Sequence, residues 1–356
     1  MEGLVAMGLS FYKGKKVFIT GHTGFKGSWM CKILKLYGAN VLGYSLDAPT
    51  KPNLFEIANI SKGIKSEIND IRDLDNLKKS ILNFQPEIVI HMAAQPIVIE
   101  SYRNPVYTYE TNVMGTVNVL ECIRLCESVK SVIVVTTDKV YKNNEWQYGY
   151  REIDELNGYD PYSNSKSCAE LVTSSYINSF FQDKNVAIST VRAGNVIGGG
   201  DFASDRIIPD CVRAAIDKKS IVIRNPYSIR PFQHVLEPLM AYLMIAEKQY
   251  KNKKYAGSYN IGPNDSDCIE TGVLAKIFCE KWGELSWESG HVVGPHEANY
   301  LKLDCSKIKS VYGWSPKWSA EKAIEKVIEW TKCYIDNSDI NVCMEKQIKE
   351  YLLGVK

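Results

Sequence analysis

Tyr162 and Lys166, in Tyr162-Ser163-Asn164-Ser165-Lys166, stand four residues apart just after Pro161. On a helix that spacing puts both side chains on one face. A nearby ammonium favours phenolate, so Tyr162 can take a proton from a substrate hydroxyl while hydride leaves the carbon that bears it, and the lysine can also hold a ribose. A solvated helical pair would look the same in a chain with 21 tyrosines, so the spacing alone is weak. It gains weight from Thr136-Thr137-Asp138-Lys139-Val140-Tyr141, which follows the apolar run Ser131 to Val135. Ends of parallel strands are where doubly wound sheets present their chemistry.

A third constellation lies near the N-terminus. Gly21-His22-Thr23-Gly24-Phe25-Lys26-Gly27 has the spacing Gly-x-x-Gly-x-x-Gly between the apolar strand Lys16 to Thr20 and a helical stretch from Ser28 to Tyr37. Glycines there allow a tight turn and close approach of backbone N–H groups to a diphosphate, whose charge is favoured at a helix N-terminus. A turn that serves packing alone is the bland alternative, and the Gly-Lys-Ser/Thr ending of a mononucleotide phosphate loop is absent. The second strand ends in Ser45 rather than an acid. Asp47, two residues on, would accept from adenosine ribose hydroxyls and repel a 2′-phosphate, and no Arg follows to welcome one; this favours NAD over NADP. An exposed turn aspartate before Ala48-Pro49 reads equally simply. Asp70-Ile71 is placed to cap an adenine, and His22 reads as structural.

The elements that must carry these groups alternate. Val41 to Tyr44, Glu87 to Met92, Ser131 to Val135 and Val186 to Arg192 read as strands; Leu77 to Asn83 ends a helix, Pro105 to Cys126 is a long amphipathic segment, and a helix runs from about Pro161 to Phe181. That alternation predicts right-handed βαβ units and a doubly wound parallel sheet over residues 1–193. Beyond Gly194 the pattern loosens through Gly198-Gly199-Gly200 and Pro-centred turns, with a short strand at Ser220 to Arg224. This predicts a smaller C-terminal lobe over 194–356, with Ser258 to Gly262 as a return strand to the first.

A chain of 356 residues exceeds the usual size of a single core. Its 43 basic and 41 acidic residues nearly cancel, which argues against broad binding to nucleic acid. The ten cysteines have no metal-ligand spacing and read as reduced thiols, no metal is expected, and no apolar run reaches membrane-spanning length. Met1 to Ser10 lacks a charged region leading into a long apolar one, so a cytoplasmic protein is expected.

With these motifs in place the chain resembles the extended short-chain dehydrogenase/reductase family over nearly its whole length. The resemblance rests on Thr20 to Gly27, His91-Met92-Ala93-Ala94-Gln95, Asn112 in Thr111-Asn112-Val113-Met114-Gly115-Thr116, Tyr162 with Lys166, and Arg192-Ala193-Gly194-Asn195-Val196. It implies a Rossmann-type fold and a dinucleotide held by Gly21, Thr23, Gly24, Phe25, Gly27, Ala93 and Ala94 together with Asp47, Asp70, Ile71, Tyr162 and Lys166. Within the family the chain is similar to the nucleotide-sugar 4,6-dehydratases. Most of these carry Thr-Asp-Glu at the strand end, where Asp protonates the departing hydroxyl and Glu takes the C5 proton; here Thr137, Asp138 and Lys139 stand in that place.

The lysine, Gly21 to Trp29, Tyr44 to Asp47 and Gly198 to Ala203 resemble the branch acting on CDP-glucose. The implied catalytic set is Thr137, Asp138, Lys139, Tyr162 and Lys166. Arg230 resembles the diphosphate-binding arginine of the family, with Asn195 and Arg206 next and Tyr300 lining the same site. Thr137 suits a hydrogen bond to the C4 oxygen, while Asn112 reads either as catalytic or as a satisfied buried amide. Pairing of the helices near Pro105 to Cys126 and Pro161 to Phe181 implies a homodimer or a higher homo-oligomer. A 4-epimerase would share Tyr, Lys and NAD but needs no acid at C6. A non-catalytic dinucleotide-binding protein would keep the fold without turnover.

Overall fold

The computed structural model describes residues 9–290 and 300–354; most of the stretch read above for a leader lies outside them. Six parallel strands follow one another, β1 (Lys16–Thr20), β2 (Asn40–Ser45), β3 (Lys65–Ile68), β4 (Ile88–His91), β5 (Ser131–Val135) and β6 (Ala187–Ala193). Short ladders come later, β7 (Val196–Ile197) with β10 (Gln233–His234), β8 (Ile221–Ile223) with β13 (Trp287–Ser289) and β9 (Ile229–Pro231) with β12 (Cys268–Glu270). β11 (Ser258–Ile261) returns to pair parallel with β6, completing a seven-stranded sheet in the order β11-β6-β5-β4-β1-β2-β3. The order reverses between β1 and β4, and such a reversal opens a crevice at the carboxyl ends of the strands.

Period-two alternation assigns the two faces of this sheet. Val17, Ile19, Ile88, Ile90, Ile133 and Val135 pack with Trp29 and Ile33 of α1 (Phe25–Leu36) and with Leu239 and Leu243 further along the chain. Phe18, Val89, Val132 and Val134 point the other way, onto Leu77 of a second helix, α2 (Leu74–Phe84), and Val119 of a third, α3 (Gly115–Arg124). Each such side chain, fully buried, contributes roughly 1.5–3 kcal/mol against exposure. A separate cluster, including Ile208, Cys211, Ile221, Phe278, Ile324 and Val327, forms a core beneath the short ladders.

The helices that carry chemistry begin where their sequences say they should. α4 (Pro161–Phe180) has Pro at its first turn, and the Asp160 carboxylate accepts from the Ser163 amide at 2.9 Å, so Tyr162 and Lys166 enter the helix behind a firm cap. α1 differs: Gly24 supplies no capping side chain. The amphipathic segment is α-helical from Pro105, opens into a π turn at Glu110–Met114 and resumes as α3. Asn112 sits in that wide turn. Its amide donates to the Gln95 carbonyl at 3.1 Å and to Ser165 Oγ at 2.9 Å, while its oxygen accepts from the Gln95 amide at 2.8 Å. It is a satisfied buried amide that ties the loop after β4 to α4.

Candidate functional site

The glycine turn is backbone-made. Gly21 has φ +77°, and a Cβ there would stand 2.7 Å from the Ala93 nitrogen; one on Gly27 would stand 2.1 Å from the Gly21 oxygen. The turn from β1 and the Ala93-Ala94 loop after β4 are therefore pressed together across the strand-order reversal. Thr20 Oγ1 reinforces the junction by accepting from the Met92 and Ala93 amides, both at 3.1 Å. A Cβ on Gly24, by contrast, would meet only the Gly21 oxygen at 3.5 Å. An open face before an uncapped helix N-terminus fits the diphosphate of a dinucleotide.

Around the turn, the expected cofactor residues play distinct parts. Thr23 Oγ1 is committed to Ser45 Oγ at 2.9 Å and the Leu46 carbonyl at 2.8 Å, holding the turn to the end of β2. Phe25 packs beside Gly198, whose added Cβ would lie 3.0 Å from its ring. His22 is buried between Ser45 and Ser66, and burial lowers its pKa to about 4, so it is a neutral structural imidazole. Asp47 is exposed at the end of β2. Asp70 is gripped by Arg72, whose Nη2 lies 2.6 Å from Oδ2; burial works against ionisation there, and the arginine bonds bring the net pKa below the ordinary value. Ile71 is buried where Gly115 leaves room for it.

At the end of β5 the catalytic candidates come together. Asp138 is 2 % exposed. Its Oδ1 accepts from Thr137 Oγ1 at 2.9 Å, and its Oδ2 is buried with no hydrogen-bond partner. Burial raises its pKa, and the opposing pull of Lys139, Thr137 and Arg230 does not cancel that. Oδ2 faces Gly194, where an added Cβ would stand 3.0 Å away. Thr137 acts on the Tyr162 phenol, favouring its ionised form against the effect of burial. Lys139 is partly buried beside Asp138.

One expectation needs correcting. Lys166 does not depress the Tyr162 phenol in this structure: burial drives Tyr162 up to about 12, with Asp138 and Asp160 adding to the rise and Thr137 and Arg206 opposing it. Lys166 instead donates to the Val135 carbonyl at 3.2 Å, and burial lowers its own pKa to about 8, against the pull of Glu170. Desolvation outweighs the pairing that the spacing suggests.

Sequence reasoning passed over Lys26. Its Nζ donates to the Tyr242 hydroxyl at 3.0 Å, and burial, aided by the charges of Lys166 and Arg206, lowers its pKa to about 7. A lysine inside a glycine turn was the available signal. Thr136 is occupied elsewhere, donating to Glu170 at 2.5 Å.

Two of the sugar-nucleotide candidates, Arg230 and Arg206, act on this centre. Arg230, on β9, is 7 % exposed and acts electrostatically on Asp138. Arg206 pairs with Asp201 at 3.0 Å and acts on both Lys26 and Tyr162. Asn195 is partly buried, and its carbonyl holds Gln233 of β10 at 3.0 Å. Tyr300 bridges to Ile229, next to Arg230, and donates to the Gln147 carbonyl at 2.9 Å. Among the described residues no group of His, Cys, Asp and Glu could hold a metal, and no helix is long and apolar enough to cross a membrane.

Comparison with known proteins agrees with this geometry. Residues 18–327 match the family model described as GDP-mannose 4,6 dehydratase. The chain is 49% identical over 350 residues to CDP-glucose 4,6-dehydratase of Salmonella typhimurium, an alignment covering 96% of this chain and 98% of that protein. It is 25% identical to CDP-paratose 2-epimerase of Salmonella typhi over 89% of this chain and 99% of that one. Among solved structures, the dTDP-glucose 4,6-dehydratase of Bacillus anthracis in complex with NAD superimposes with TM-score 0.74 at 21% identity, over 92% of this chain and 98% of that chain. UDP-glucose 4-epimerase of Thermotoga maritima gives TM-score 0.78 at 20% identity, over 90% and 99%. These last two establish the fold alone. The match over most of the chain, together with a half-identical relative of equal length, makes this chain a member of the GDP-mannose 4,6 dehydratase family, within the extended short-chain dehydrogenases/reductases.

Proposed function

We propose that the protein is an NAD-dependent lyase that converts CDP-D-glucose to CDP-4-keto-6-deoxy-D-glucose and water. The observation that carries this reading is Asp138, a buried carboxyl with one unpartnered oxygen beside the Thr137–Tyr162 contact. A 4-epimerase needs no acid at C6, whereas elimination of the C6 hydroxyl does. A carboxyl whose pKa burial raises is suited to give that proton.

The glycine turn, the N-terminus of α1 and the Ala93-Ala94 loop would hold the dinucleotide, with Asp47 and Asp70 toward its adenosine half. When bound, NAD supplies the hydride acceptor for C4 and the donor that returns hydride to C6. Tyr162 removes the C4 hydroxyl proton, and Thr137 positions that oxygen. Lys166 holds the ribose and favours the phenolate once its Nζ leaves the Val135 carbonyl. Lys139 stands where the related enzymes place the residue that works at C5. Arg230, Arg206, Asn195 and Tyr300 form the diphosphate and nucleoside side of the site, where two phosphates require cations. The reading extends to a cytoplasmic homodimer or higher homo-oligomer built on the faces bearing Val106, Met114 and Leu171, which are exposed in the single chain.

Incubation of purified protein and NAD⁺ with CDP-glucose, with dTDP-, GDP- and UDP-glucose in parallel, tests this by mass spectrometry. Loss of one water from CDP-glucose without net NADH is the expected result. Interconversion with the galacto sugar at unchanged mass would make the protein an epimerase, and no reaction with any of them would return it to the non-catalytic reading.

A further inference from the structure

Far from the strand ends, a helical hairpin brings two thiols to one seam. α5 (Ala320–Ile335) starts behind Ser319, whose hydroxyl accepts from the Lys322 amide at 3.2 Å. α6 (Ile340–Leu353) starts behind Asp339, whose carboxylate accepts from the Asn341 amide at 2.8 Å. The short link at 336–339 leaves the two helices antiparallel and side by side. Polar contacts set their register. Lys326 pairs with Glu350, and Gln347 Nε2 donates to the Glu329 carboxylate at 3.3 Å and to the Lys326 carbonyl at 2.9 Å. Glu329 is three residues on from Lys326, as Gln347 is three back from Glu350. Four residues further toward the link, on the same face of each helix, stand Cys333 and Cys343. The same Gln347 nitrogen lies 3.9 Å from Cys343 Sγ, so that sulfur sits on the seam with α5. Cys343 is 5 % exposed; Cys333 is partly buried and packs against the same core. Burial pushes the Cys343 thiol up to about 12, and Cys333 adds to the rise.

The seam supports a loop beside the site. Cys333 lies between Trp330 and Tyr334, whose rings stack with centroids 5.7 Å apart. Phe202 packs edge-on against both, at 6.1 Å and 5.7 Å. A Cβ on Gly199 would stand 2.0 Å from the Trp330 ring, and the Gly199 carbonyl accepts from Trp29 Nε1 at 3.0 Å. The last turns of α5 therefore back the loop at 198–203, whose Asp201 holds Arg206. Fixing α5 to α6 fixes the support of that loop.

We propose that Cys333 and Cys343 are a reversible redox pair, a modification site at which hydrogen peroxide closes a disulfide that staples α5 to α6. Cys333, the more accessible sulfur, attacks the peroxide; the O–O bond breaks, and Cys333 becomes a sulfenic acid as its proton leaves in one water. The Cys343 sulfur then attacks that of Cys333, the S–O bond breaks, and a second water carries away the Cys343 proton. Two electrons pass from the sulfurs to the peroxide, and a dithiol reverses the step by exchange. In a reducing compartment such a bridge is transient and serves sensing rather than folding.

The test is to treat the purified protein with hydrogen peroxide, digest it without reduction and map the peptides by mass spectrometry. Expected is one intramolecular link, two hydrogens lighter, between the peptides holding Cys333 and Cys343, while Cys168 and Cys268, the other partly buried thiols, stay unlinked. Dithiothreitol removes it. The linked form melts about 2–5 °C higher, and amide hydrogen exchange at 198–203 slows. Cys333→Ser and Cys343→Ala each abolish the link and both shifts; Cys333→Ser, at the more accessible position, decides the point if the buried alanine weakens folding. Sulfinic acid at Cys333 with Cys343 still a thiol, a link formed elsewhere, or a link that leaves melting and exchange unchanged would overturn the pair.

Discussion

Asp138 and Glu170 are carboxyl groups buried to nearly the same depth, at 2 % and 3 % exposure, and the fold equips them differently. Glu170 accepts from Thr136 at 2.5 Å, Thr190 at 2.6 Å and both Nε and Nη2 of Arg192 at 2.9 Å. Asp138 accepts from Thr137 on one oxygen and leaves the other without a partner. A buried side chain bound by an arginine and two hydroxyls is locked in place, joining α4 to β6 and to the residue after β5. A buried carboxyl with one hydroxyl has its pKa raised, which favours a proton to give. Burial alone does not mark a functional acid; burial with partners withheld does.

Substitutions should separate the two. Asp138→Asn should give the largest effect, a fall in kcat of about 10²–10⁴ with CDP-glucose, since a general acid is removed. Its folding stability should hold or improve, because a partly satisfied acid has been replaced by a neutral amide. Glu170→Gln should show the reverse weighting, with a loss of about 3–5 kcal/mol in urea unfolding as Arg192 is left buried without its anion. A similar stability loss in both variants would erase the distinction drawn between them.

Lys166, on which Glu170 acts, gives a smaller effect with a definite sign. Burial lowers Lys166 from 10.5 to about 8 in the folded chain, so between those pH values the unfolded chain binds more protons and stability rises with pH. Lys166→Met should lose that rise, a difference of ~3 kcal/mol at most, measured by urea unfolding across the same window. Asp138 has the opposite sense. Its raised pKa makes the folded state the better proton binder above the unfolded value of 3.8, so its contribution falls as pH rises through that range, and Asp138→Asn should flatten the slope there. The smallest effect belongs to Asp70, whose partner Arg72 is about one-third exposed; Asp70→Ala should cost less than about 1 kcal/mol in stability and weaken NAD binding in calorimetry.

The same contrast shows how far the residues could be read unaided. The strand Ser131 to Val135 and the helix from Pro161 were legible to within a residue, because an all-apolar run and a Pro behind an Asp cap are local signals. The glycine turn was legible for the same reason. Contacts made across the fold were not. Glu170 lies four residues after Lys166, yet nothing local marks it as the partner of Arg192. The rise of the Tyr162 phenol came from desolvation by elements distant in sequence, where local spacing had pointed only to a lowering by Lys166. Asn112 was open between two readings until Gln95 and Ser165 were found on either side of its amide. Lys26 was read only as a spacer between glycines, since Tyr242 reaches it from more than two hundred residues away.

The most direct measurement is infrared spectroscopy of the resting protein at neutral pH, comparing wild type, Asp138→Asn and Glu170→Gln in the protonated-carboxyl region. The expected result is a carbonyl band in wild type that persists in Glu170→Gln and disappears in Asp138→Asn. A wild-type spectrum with no band that depends on Asp138 would mean that this carboxyl is ionised at rest, and would contradict its assignment as the acid that releases the C6 hydroxyl.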